Sequence, residues 1–170
     1  QSLQNLFERV NPSVVSIRTM QRDLSGIPGD RRAVATTLVG SGVLISNDGK
    51  IITASHVVHT ADKVMVEFLN GETIRADVLV TEPQADLALI KLKYLPKKFT
   101  LATLADSNRT KTGSEVFVVG APYGIQHTIT SGIISARHRA SEINNRMPLG
   151  EFFQTDTAIN MGHSGSPAFN

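Results

Sequence analysis

The sequence predicts an all-β protein, a barrel or a sandwich, on three observations. Nine short runs rich in Val, Ile, Leu and Thr follow one another at close spacing. Turn signals separate them, above all Asn47-Asp48-Gly49 and Asn70-Gly71. Helical periodicity is confined to the first ten residues, so no room is left for the crossover helices of a parallel sheet.

Leu3, Leu6, Phe7 and Val10 lie at helical spacing and predict a short amphipathic helix, ended by Asn11-Pro12. The strand candidates then come in order. SVVSIRTM (13–20) precedes a Gly- and Pro-containing polar loop at 23–32. TTLVGSGVLIS (36–46) and KIITASHVV (50–58) flank the first Asp-Gly turn. KVMVEFL (63–69) and TIRADVLV (73–80) flank the Asn-Gly turn, and LALIKL (87–92) follows. The polar segment 93–112, with Pro96, reads as a connector. EVFVVG (115–120), HTITSGIISAR (127–137) and EFFQTDTA (151–158) resume the strand pattern.

At 170 residues the chain fits one domain or two small lobes, and 41% hydrophobic content supplies a core. Aromatics are 5% and Trp is absent, so Val, Ile, Leu and Ala must build that core. With no cysteine there are no disulfides and no thiolate metal sites. A net charge of +2 is too small to argue for nucleic acid. The basic clusters Arg31-Arg32, Lys97-Lys98 and Arg137-His138-Arg139 do not interleave with aromatics. No apolar run approaches the roughly 20 residues of a spanning helix. The chain opens at Gln1 without the pattern of a signal peptide, which reads as a mature or trimmed product.

Chemistry centres on Gly162-His163-Ser164-Gly165-Ser166-Pro167. Glycines on both sides of Ser164 allow a turn that aims successive N–H groups at one spot, as acyl transfer requires. A serine needs a base beside it. Of the five histidines, His56 sits in an apolar run at what reads as a strand end, a rigid place for a base. His59, three residues on, would pair with His56 as a metal site if that segment turned helical, but no carboxylate completes the set. His163 reads as a loop residue pointing away from Ser164. Asp86 immediately precedes LALIKL, where a carboxylate drawn toward the core needs a hydrogen-bonding partner such as an imidazole. Asp62, Asp77 and Asp106 lack that setting; Asp156 has apolar neighbours too. Chain order then discriminates. His56, Asp86, Ser164 is the order of the chymotrypsin-type triad on an all-β background. The α/β-hydrolase order requires His and acid after the serine.

The sequence resembles the HtrA family of trypsin-like serine proteases. NPSVVSI, GSGVLISNDGKIITASHVV, ADLALIKL, VFVVGAPYG, TITSGIISA and QTDTAINMGHSGSPAFN carry the resemblance, in the expected order over nearly the whole chain. It implies one protease domain over 1–170, made of two six-stranded antiparallel barrels, 13–95 and 113–170, with the active site between them. It implies His56 as general base, Asp86 as its orienting partner and Ser164 as nucleophile. The turn Gly162, His163, Ser164 then forms the oxyanion hole, with the N–H groups of Gly162 and Ser164 as donors. It also implies a periplasmic or otherwise exported protein that cleaves unfolded or misfolded polypeptides in quality control, without cofactor or metal. Trimers are expected, built partly by the N-terminal segment. The family usually has Asn before the serine and Gly-Gly after it, where this chain has His163 and Gly165-Ser166. Six residues follow Ser164, with no peptide-binding PDZ domain, so the second barrel is expected to be partial: the chain is a fragment, the favoured reading, or naturally short and completed by a partner, or a degenerate copy. Loops 21–35 and 137–150 are the expected activating loops. The alternative reading is a catalytically impaired protease-like domain that serves as a chaperone or partner-binding module.

Overall fold

The computed structural model describes residues 2–23, 34–122, 127–138 and 151–170. Helix α1 spans Leu3–Val10. Ser2 caps it by accepting the N–H of Asn5 at 3.2 Å. The helix gives way to one 3-10 turn, Asn11–Ser13, where Pro12 removes a donor. Leu6, Phe7 and Val10 face inward, as their spacing predicts.

Six strands follow: β1 (Val14–Asp23), β2 (Val34–Leu44), β3 (Lys50–Thr53), β4 (Lys63–Glu67), β5 (Thr73–Glu82) and β6 (Leu87–Leu92). They close into an antiparallel barrel in the order β1-β2-β3-β6-β5-β4. Closure pairs every strand on both sides and removes exposed edges. Alternation sets the interior: Ile51, Val64, Val66, Ile74, Ile90 and Leu92 are buried, and their sequence neighbours face outward. The two predicted tight turns lie between β2 and β3 and between β4 and β5. Their glycines, Gly49 and Gly71, hold φ of +89° and +84°, where a side chain is strained.

The run 50–58 is not one strand. After Thr53 the chain turns into a short helix, α2 (Ser55–Val58). Its N-cap residue, Ala54, offers no side-chain acceptor. The acceptors come from Asp86, in the turn between β5 and β6. Its carbonyl takes the N–H of Ser55 at 3.1 Å and its carboxylate takes the N–H of His56 at 2.9 Å. These long-range caps override the β-propensity of the local sequence.

The rest of the chain forms a second sheet from β7 (Glu115–Gly120), β8 (Thr128–His138), β9 (Phe152–Thr155) and β10 (Ala168–Phe169), in the order β10-β7-β8-β9. Among the described residues this sheet does not close. Its core is Val14, Phe117, Val119 and Ala121, covered by α1 and by the Phe169 ring stacked on Phe117 at 5.5 Å. The architecture is the expected chymotrypsin-like one: a closed six-stranded barrel, a second, incomplete sheet, and a short N-terminal helix. Strand β10 escapes the sequence pattern because two residues show no alternation. Apart from their strand-forming ends, loops 21–35 and 137–150 lie outside the described residues.

Candidate active site

Asp86 is the anchor of the site. It is the one non-glycine with positive φ (+51°) among the described residues, in the left-handed region that Asp tolerates better than most. That conformation lets it grip the start of α2 at several points. Besides the two caps above, Oδ2 lies 2.7 Å from Nδ1 of His56. A carboxylate so placed holds the ring proton on Nδ1 and leaves Nε2 with a free lone pair. The His56 side chain is 55% exposed and that of Asp86 30%, so the ring meets solvent while its partner is shielded.

Ser164 comes from the second half of the chain. Its carbonyl accepts the N–H of Ser41 on β2 at 2.8 Å. Two glycines allow this seat. A Cβ on Gly165 would fall 2.1 Å from the carbonyl oxygen of Ser41 and 3.0 Å from the N of Ala54, two residues before His56. A Cβ on Gly40 would strike Val57 at 2.8 Å and the Ser164 carbonyl oxygen at 3.0 Å. The turn bearing Ser164 is thus pressed against the strand end and helix that carry His56. No hydrogen bond joins the imidazole to the Ser164 hydroxyl in this structure. Hydrogen bonds between a catalytic base and its nucleophile often tighten only on substrate binding.

The serine turn consists of two successive β-turns. The N–H of His163 bonds the carbonyl of Asn160 at 3.1 Å, and the N–H of Ser166 bonds the carbonyl of His163 at 2.8 Å. Each has glycine in its third place with positive φ: Gly162 at +86° and Gly165 at +84°. A type II turn demands this sign. A Cβ on Gly162 would also meet Pro122 at 2.5 Å. Among the described residues the N–H groups of Gly162 and Ser164 donate to no protein acceptor, whereas the N–H of His163 is engaged within the turn.

His163 is not a solvent-facing loop residue. It does point away from Ser164, but into the second half, where it is 7% exposed. Its Nδ1 accepts the N–H of Asn160 at 3.4 Å, which puts the proton on Nε2, 3.0 Å from the Thr128 hydroxyl. Gly120 provides the space, since a Cβ there would sit 2.7 Å from the imidazole. The Ser166 hydroxyl shares that niche, buried and without a hydrogen-bond partner among the described residues. The large residue before the serine is therefore accommodated with the turn intact. Neither Gly40 nor Gly120 stands out in the sequence reading. An isolated glycine in a β-branched run was the available signal.

The other candidates are placed elsewhere. His59 bonds the carbonyl of Ser55 through Nδ1 at 3.1 Å. His138 bonds Gln154 at 2.9 Å. His127 reaches the side chain of Asn11 through Nδ1, and burial pushes its pKa below the ordinary value. Asp62 accepts the N–H of Arg22, Asp77 pairs with Lys93 and Asp106 caps a 3-10 turn. Asp156 accepts the N–H of Ile133 at 2.8 Å, so its apolar setting serves strand β8 and not a histidine.

Comparison with known proteins bears on the family and the fold. Residues 40–170 match the trypsin-like peptidase domain family. A probable periplasmic serine endoprotease, DegP-like, of Pseudomonas putida (strain GB-1) is 35% identical over 197 residues, covering 98% of this chain and 40% of the relative. A protein of the same description from Brucella suis is 39% identical over 143 residues, covering 84% of this chain and 27% of the relative. Among solved structures, the HtrA-type protease AlgW with a tripeptide superposes with a TM-score of 0.82 at 30% identity, covering 99% of this chain and 50% of that one. AlgW with a decapeptide gives a TM-score of 0.80 at 31% identity, covering 99% of this chain and 55% of that one. The chain spans less than half the length of these curated relatives and about half that of the solved chains. On its fold and on this match, the chain belongs to the trypsin-like peptidase family, as a protease domain of the HtrA type.

Proposed function

We propose that this chain is the catalytic domain of a serine endopeptidase in which His56, Asp86 and Ser164 act as one unit. The observation that carries the reading is the double hold of Asp86 on His56, 2.9 Å to its backbone N and 2.7 Å to Nδ1. A carboxylate that fixes both the position and the tautomer of an imidazole is what a general base at a serine needs. Nε2 takes the proton of the Ser164 hydroxyl as its oxygen attacks the peptide carbonyl carbon. The N–H groups of Gly162 and Ser164 receive the resulting oxyanion. The intermediate collapses, the C–N bond breaks, and His56 returns the proton to the departing amine. Water then repeats the sequence on the acyl-enzyme. Nothing beyond these groups and water is required.

Unfolded or misfolded polypeptides are the proposed substrates, and the periplasm or another exported setting the proposed location. The relatives' descriptions as periplasmic endoproteases support the location and a polypeptide substrate. No helix among the described residues is long and apolar enough to cross a membrane. The proposed halves are 13–95 and 113–170. A homotrimer assembled through the N-terminal segment is also proposed, supported by Leu3, which leaves 41% of its surface exposed on α1.

Degradation of β-casein at neutral pH tests the reading. The full-length protein should cut it, and Ser164→Ala should not. A wild-type protein that suppresses aggregation without cutting, or a Ser164→Ala protein that cuts equally well, would refute it. Light scattering on the same samples should give three copies per particle; a monomer would refute the trimer alone.

A further inference from the structure

Ser41 lies at the middle of β2, in the first barrel, with 0% of its surface exposed. Its N–H and its hydroxyl are engaged across the boundary between the two halves, and its carbonyl within the first barrel. Its N–H donates to the carbonyl of Ser164 at 2.8 Å. Its hydroxyl donates to the carbonyl of Gly162 at 2.9 Å and accepts the N–H of Ala121, just past β7, at 2.9 Å. Its carbonyl accepts the hydroxyl of Thr53 at 2.7 Å. Among the described residues, both hydrogen bonds from the first barrel to the turn 160–166 come from this one residue.

We infer that Ser41 is a positioning residue for the proposed reaction, its buried hydroxyl and N–H holding the peptides that follow Gly162 and Ser164, and so the frame of the turn on which the two oxyanion donors sit. The inference rests on the peptidase reading above. A peptide unit is planar, so fixing a carbonyl fixes the N–H on its far side. In the serine turn the carbonyl of Asn160 is held by His163, that of His163 by Ser166, and those of Gly162 and Ser164 by Ser41. Among the described residues the carbonyls of Met161 and Gly165 have no such donor. That of Met161 belongs to the peptide whose N–H is that of Gly162. That peptide is the centre of the first β-turn. Types I and II differ by a rotation of this central peptide, and the φ of +86° at Gly162 marks the type II side. Anchoring Gly162 by its own carbonyl leaves that single rotation as the freedom to be controlled. Without the Ser41 hydroxyl, the Gly162 carbonyl and the Ala121 N–H lose their partner in a dry site, and the turn gains a reason to rearrange. The barrel itself does not depend on the hydroxyl, because β2 is paired to β1 and β3 through its backbone.

Ser41→Ala in the full-length protein tests this, with a peptide cut from casein by the wild type as substrate. We expect kcat to fall on the order of 10- to 100-fold, the scale of a small misplacement at a reacting centre. KM and the affinity for the non-covalent product peptide should stay within about twofold, as they do when only transition-state interactions are lost. Affinity for a peptide boronate, whose tetrahedral adduct places an oxygen in the oxyanion hole, should fall by the same factor as kcat. Wild-type kcat and boronate affinity in Ser41→Ala would overturn the inference and leave the peptidase reading standing. If the alanine variant does not fold, Ser41→Cys keeps the size with a weaker donor, and the same split is expected in milder form. A folded cysteine variant with wild-type kcat would overturn the inference equally. A wild-type protein that neither cuts nor binds the boronate overturns both.

Discussion

Asp86 combines two functions that a substitution can separate. Its carboxylate orients His56, and together with its carbonyl it also caps α2. Asn at this position keeps an oxygen for the His56 N–H and tolerates φ of +51°. Its amide group, however, turns a donor toward Nδ1 and moves the ring proton to Nε2, where it blocks the transfer from Ser164. Asp86→Asn should therefore lower kcat by about 10⁴-fold with the thermal midpoint little changed. Asp86→Ala should lose the activity and also destabilise the fold by about 1–2 kcal/mol, through the missing cap and the left-handed backbone. Calorimetry and steady-state kinetics on the two variants check this. Equal midpoints for the two would show that capping by Asp86 is energetically silent.

At the scale of elements, what is legible in the sequence follows the range of the interaction that decides each one. Helix α1 and the turns at Gly49 and Gly71 are decided within a few residues, and local pattern finds them. The barrel strands are decided by alternation over five or more residues, and pattern finds them too. Helix α2 is decided by Asp86, thirty residues away, so the β-rich run 50–58 reads as strand throughout. The same distance explains His163. Its burial depends on the absent side chain of Gly120 and on Thr128, neither close to it in sequence. The candidate triad was legible because its residue types, their order and the motifs around them are local features. The clamp at Ser41 was not, because a serine between two glycines in a strand has no pattern that points to a turn 121 residues on.

At the scale of the whole molecule, the proposed site draws on both halves of the chain, and the N-terminal segment is tied to the second of them. His127, just before β8, bonds through Nδ1 to Asn11 behind α1. Burial keeps its imidazole neutral by pushing its pKa below the ordinary 6.5. The unfolded chain then binds the proton more readily than the folded one. Stability is full above about pH 6.5 and is lost as pH falls toward the lowered folded-state value. The thermal midpoint should decrease between about pH 7 and pH 5, and His127→Gln should flatten that slope, since Gln can bond Asn11 without titrating. An unchanged slope in the variant would assign the acid sensitivity to other groups.

The account depends most on His56, Asp86 and Ser164 working together from the two halves of the chain. The direct measurement is reaction of the full-length protein with a fluorophosphonate at neutral pH, with the adduct located by peptide mass spectrometry. One adduct is predicted, on Ser164, absent in Ser164→Ala and slowed by about 10³-fold or more in His56→Ala. Labelling of another residue at the same rate, or full-speed labelling of Ser164 without the His56 imidazole, would contradict the shared mechanism.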